Sequence, residues 1–138
     1  MRGNLKTIAI KCCYLQHKIE IMTKLFLLKP DFTDSNYDKE EKRYYCPDCA
    51  LIEGILKYYP QLEQMIEIHR VDFKRPRQAL IEIIGEENQG CPVLIIDNKQ
   101  DSSIDTSYFT SVGDKLFVNS TELIALYFAE KFGIGVLH

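Results

Sequence analysis

The chain has 138 residues, 46% hydrophobic and 27% charged, a composition that suits one globular domain and excludes a disordered or fibrous protein. A net charge of -3 and a pI near 5.6 supply no field for nucleic acid or an anionic membrane. Five cysteines, Cys12, Cys13, Cys46, Cys49 and Cys91, form an odd set without the spacing of a secreted disulfide framework, so a reducing cytoplasm is the expected location.

At the N-terminus "TIAI" stops at Lys11, short of the roughly 7 to 15 apolar residues of a signal peptide, and no other run approaches the roughly 20 needed to span a bilayer. Met22 stands directly before the first strand-like run. Residues 1–21 therefore read as an N-terminal extension or an over-extended start, outside a single domain of residues 22–138. "KLFLL", residues 24–28, is continuously apolar and bounded by Pro30, as a buried strand is. A polar loop leads to "CPDCALIEGILKYYP", a helix opening at Cys46-Pro47 and closing at Pro60. Its expected inner face carries Ala50, Leu51, Ile55, Leu56 and Tyr59.

"MIEIHRVDF" alternates as a strand, but Glu67, His69, Arg70 and Asp72 are too polar for a central one, so an edge is expected. Pro76 then takes the first turn of a second helix that turns Ala79, Leu80, Ile83 and Ile84 inward before Gly85. "PVLII" is a fully buried third strand. Residues 97–114 form a polar loop without period, in which Tyr108 and Phe109 suggest a lid or partner contact. "KLFVN" resumes as a fourth strand. In "NSTELIALYFAEKFG", Asn119 and Glu122 have capping-box spacing and Gly133 ends the helix. The order is β-α-β-α-β-β-α, with two right-handed crossovers among the first three strands and a hairpin joining the last two. The expectation is an α/β fold with a mixed four-stranded sheet and helices on both faces.

Cys46 opens a helix, where the macrodipole and unpaired backbone N–H groups favour thiolate over thiol, which makes it the candidate nucleophile. Cys49, three residues on, is placed to resolve a mixed disulfide on Cys46. Asp48 between them opposes the thiolate electrostatically, or serves only as a first-turn acid. The plain alternative is a pair of small buried apolar residues. "KRPR" reads as a solvated basic patch, or as Arg75 or Arg77 joining a helix terminus to hold an anion. Ser120 and Thr121 read as caps.

The element order, "CPDC" after the first strand and "GEENQGCPVLII" after the second helix together resemble the thioredoxin-like superfamily in its glutaredoxin form, over residues 23–135. The resemblance implies that Pro92 is cis and that Cys91 stands where those proteins place Thr or another non-thiol residue. Arg43 matches the position of a glutaredoxin Lys, which would hold the thiolate and a glutathione carboxylate. The last helix resembles the close of the N-terminal domain of glutathione S-transferases, which would make Ser120 and Thr121 ligands of the other carboxylate. A finer resemblance, in "YYCPDCALIEG", "RVDFKRPR" and "GEENQGCPVLI", is to a small bacterial family of uncharacterised proteins with a domain of unknown function.

These resemblances imply a thiol-disulfide oxidoreductase without a tightly bound cofactor, using glutathione as co-substrate or a protein disulfide as partner. The alternatives are a non-catalytic binding module and a thiolate metal site of Cys46, Cys49 and Cys91. His69 joins such a site only if its edge strand reaches it.

Overall fold

The computed structural model of the chain describes residues 23–98 and 103–138. The expectations for residues 1–21, with Cys12 and Cys13, lie outside the described residues. Five strands form one open sheet in the order β2-β1-β3-β5-β4: β1 Lys24–Leu28, β2 Glu67–Val71, β3 Val93–Asp97, β4 Thr110–Val112 and β5 Lys115–Val118. The described helices are α1 Pro47–Tyr58, α2 Leu62–Met65, α3 Gln78–Ile84 and α4 Thr121–Phe132. No described helix is long and apolar enough to cross a membrane.

β1 and β3 sit inside the sheet and read as unbroken apolar runs because both of their faces are covered. Leu25, Leu27, Leu94 and Ile96 face a cluster completed by Ile52 and Leu56 of α1, Leu62 of α2, and Ile124, Tyr127 and Phe128 of α4. Phe26, Val93, Ile95 and Phe117 point the other way, onto Leu80 and Ile84 of α3. Helices thus cover both faces, α1, α2 and α4 on one and α3 on the other. β2 is an edge strand, as its polarity requires. The Arg70 guanidinium grips Glu53 of α1 with a two-point fork of 2.7 and 2.9 Å.

The sheet has five strands rather than four. The extra one, β4, arises within the 97–114 stretch and pairs antiparallel with β5 through the turn at Gly113, whose φ of 58° suits glycine. β1 and β2 are parallel, but β3 runs antiparallel to β1, so the second connection is not a parallel crossover. Chain order alone does not fix that direction: α3 returns the chain to the far side of β1, where either direction satisfies the burial pattern. Pro76 does not open α3. It follows a cis bond from Arg75, Arg77 is the residue before the helix, and α3 begins at Gln78.

Around α1 the inner face is Cys49, Ile52 and Leu56, with Ile55 and Tyr59 beside it, whereas Ala50 and Leu51 are exposed. The i, i+3, i+7 stripe centred on Ile52 excludes them. At α4 the cap is Ser120, one of the two residues read as caps, and not Asn119: its Oγ accepts the Leu123 N–H at 3.4 Å. Gly133 closes α4 in the left-handed region at φ 69°. The lid expectation for Tyr108 and Phe109 is corrected as well. Phe109 is buried edge-on against Tyr127, ring centroids 5.5 Å apart, and Tyr108 packs on the same core.

Candidate functional site

Cys46 is the N-cap of α1, in extended backbone at φ -79° and ψ 118°, because Pro47 has no N–H to lose at the first helical position. Its Sγ accepts the Cys49 N–H at 3.2 Å, the contact an oxygen makes at an ordinary cap. Such an N–H binds an anionic sulfur more strongly than a neutral one. Cys46 is half-buried, Cys49 fully so. Cys49 Sγ accepts the Leu28 N–H at the end of β1 at 3.4 Å, so one sulfur joins helix to sheet.

Burial pushes the Cys49 thiol up to about 12. The Leu28 N–H works against that, while Cys46 and the charge of Cys91 add to it. Cys91 precedes Pro92 across a cis bond, as the resemblance implied, at the head of β3. Burial raises its thiol to about 11. Arg77 and Arg75 draw it down and Cys46 raises it. All three cysteines carry free thiols.

Of the two readings of Arg77, the solvated patch is excluded, because the side chain is buried. It is 7% exposed, its Nε donates to the Asp72 carbonyl at 3.2 Å, and its Nη1 and Nη2 donate to the carbonyls of Gln89 and Phe73 at 2.5 Å each. Its own N–H donates to the Gln89 side chain at 2.7 Å, and its charge stands 5.6 Å from the centre of the Phe73 ring. Gln89, itself buried, turns its amide N–H onto the Glu86 carbonyl at 2.8 Å. The guanidinium and Gln89 therefore brace the turn that delivers Cys91. Lys74 and Arg75 remain exposed.

The other expected residues fall differently. Arg43 is exposed, and the cations that act on Cys91 are Arg77 and Arg75 instead. The Ser120 hydroxyl donates to Glu122 Oε2 at 3.0 Å, and that carboxylate also takes the Glu122 N–H, which lowers its pKa. A ligand carboxylate at this helix end would have to displace Glu122. Thr121 is buried. The α4 end does reach the site's turn: a Cβ built on Gly90 would meet Asn119 Nδ2 at 4.0 Å. His69 stacks on Phe26, on the α3 side of the sheet, and bonds Glu67 at 2.6 Å. Among the described residues no three His, Cys, Asp or Glu side chains are grouped to hold a metal, so the three-thiol metal site is not assembled in this geometry.

A cleft of about 870 Å³ lies between segments 29–36 and 72–77. Its first wall is fixed by Phe32, which exchanges backbone hydrogen bonds of 3.1 and 2.8 Å with Tyr44 and stacks on Phe73 at 4.2 Å. None of the three cysteines lines it; Arg77 is shared between cleft and thiol cluster.

A family model described as a protein of unknown function, DUF3088, matches residues 22–136. The chain belongs to the DUF3088 family. That match spans every element of the sheet and all three site cysteines, so the arrangement described above is that of a DUF3088 domain. No curated protein and no solved structure matches the chain.

Proposed function

We propose that this DUF3088 domain is a thiol-disulfide oxidoreductase of thioredoxin-like, glutaredoxin-type architecture, with Cys46 as nucleophile and Cys49 as resolving thiol. The observation that carries the reading is Cys46 Sγ at the α1 N-terminus, taking the Cys49 N–H while Cys49 lies buried beneath it. The strand order β2-β1-β3-β5 and the cis Cys91-Pro92 bond support the architecture.

The Cys46 thiolate attacks the sulfur of a glutathione or protein disulfide and forms a mixed disulfide, and the displaced thiolate takes up a proton. Cys49, its proton given to solvent, then attacks the Cys46 sulfur: the Cys46–Cys49 bond forms, and the second half of the substrate leaves and takes up a proton. Two glutathione molecules reduce the pair to restore both thiols and become glutathione disulfide. The cleft holds the substrate chain beyond its sulfur, and Lys74 and Arg75 at its wall suit a carboxylate. Glutathione is a co-substrate here, not a resident cofactor.

Turnover of a glutathione mixed disulfide, followed with excess glutathione and its reductase, tests the reading. The wild type turns over and Cys46→Ser does not. A wild-type rate equal to that of Cys46→Ser would remove it. The second reading, a binding module that keeps the frame without catalysis, is favoured by one observation: burial holds Cys49 neutral far above physiological pH. It wins if Cys46→Ser leaves the protein's biological effect intact.

A further inference from the structure

Arg77 is a buried cation without a carboxylate partner: no ion pair of it is found among the described residues, and its three acceptors are uncharged carbonyls. A desolvated charge is costly unless an anion compensates it. The groups whose negative charge would stabilise it are Cys91 first, then Cys49 and Cys46. A thiolate is thus the anion this cation is positioned to meet.

The three sulfurs share one end of the sheet. Cys49 sits on the Leu28 N–H. The antiparallel pairing of β1 and β3 ends at Phe26↔Val93, so Cys91, two residues before Val93, lies at the end of the sheet where β1 finishes. Cys46 and Cys91 pack on the same buried cluster that contains Cys49. Arg77 holds the carbonyl of Gln89, two residues before Cys91, and so fixes the turn that carries this third thiol.

We propose that Cys91 is a second resolving thiol, closing a Cys46–Cys91 disulfide, and that Arg77 is the positioning residue that orients it and favours its thiolate during attack. The proposal rests on Cys46 being the nucleophile. In the step, the Cys91 thiolate attacks the Cys46 sulfur of a Cys46–glutathione mixed disulfide. The Cys46–Cys91 bond forms, the bond to glutathione breaks, and glutathione leaves as thiolate and takes up the proton that Cys91 gave to solvent. Cys91 is oxidised and the glutathione sulfur reduced, with no further reagent. Burial raises both inner thiols, and the nearby cations act on Cys91. Arg77 and Arg75 lower it and Cys46 raises it.

Disulfide mapping by peptide mass spectrometry tests this on the reduced protein after exposure to glutathione disulfide. Wild type yields Cys46–Cys91 linkage beside Cys46–Cys49. Cys49→Ser, or Cys49→Ala if the hydroxyl disturbs the core, passes from a Cys46–glutathione adduct to Cys46–Cys91, and added Cys91→Ala stops it at the adduct. Closure in the Cys49 variant accelerates about tenfold per pH unit below the Cys91 pKa. Arg77→Met slows it by about tenfold and moves its pH profile upward, as loss of one pKa unit of stabilisation would; Arg77→Lys recovers most of the rate.

An adduct on wild-type Cys46 that never yields Cys46–Cys91 linkage overturns the proposal and leaves the enzyme reading standing. Closure with a pH profile indifferent to Arg77→Met overturns the role of Arg77. Absence of both adduct and disulfide on Cys46 removes both readings.

Discussion

Cys49 and Cys91 are held as neutral thiols by burial, and this has a sign in the pH dependence of stability. Both folded-state pKa values, about 12 and about 11, lie above the ordinary 9.0. The unfolded chain therefore ionises first as pH rises. The thiols' contribution to stability is fully present below about pH 9 and is lost between there and pH 11 to 12. Urea midpoints at pH 7, 8, 9 and 10 should fall more steeply for wild type than for the Cys49→Ala/Cys91→Ala variant once pH passes 9. Parallel declines would show that other groups carry the alkaline loss. At this scale the sequence was legible for Cys46, because Pro47 two residues before Cys49 marks a helix start by local chemistry alone. It was not legible for Arg77. Its acceptors are carbonyls of Asp72, Phe73 and Gln89, assembled by tertiary folding, and nothing in "KRPR" distinguishes a buried arginine from a solvated one.

Among elements, the stretch between β3 and β5 departs furthest from its reading as a polar loop. Phe109 anchors it on Tyr127 and lets Thr110–Val112 lie down as β4. Phe109→Ala should cost about 3 to 4 kcal/mol in urea denaturation, the range of buried aromatic truncations. A loss below about 1 kcal/mol would mean that this segment is a free flap. β4 escaped notice because its residues Thr110 and Ser111 are exposed and polar, so no alternation marks it. The α1 face was misjudged for a related reason. Apolar Ala50 and Leu51 spread the pattern wider than the buried stripe, and the cysteine at position 49 was weighed for chemistry when it is also core.

For the molecule as a whole, continuous apolar β1 and β3 flanked by amphipathic helices made an α/β sheet covered on both faces legible. The polarity of Glu67–Val71 made its edge position legible too. The direction of β3 was not, since a strand buried on both faces has the same pattern read either way. That direction matters for the site: running antiparallel to β1, β3 brings its first residues to the end where β1 finishes, beside α1.

The hydrogen bond from Leu28 to the Cys49 sulfur makes a backbone amide a spectator of thiol chemistry. A sulfur drawn into a disulfide is repositioned, which takes it out of line with that N–H. Solvent exchange of the Leu28 amide should therefore quicken when Cys49 is oxidised, while Lys29, bonded to the Val71 carbonyl at 2.9 Å, keeps its protection. Nuclear magnetic resonance exchange rates on reduced and oxidised protein read this directly, and identical Leu28 rates would refute it. If the amide does report, the electron count of the thiols is coupled to the breathing of a central strand, and a partner could sense the protein's oxidation state through its dynamics without touching a sulfur.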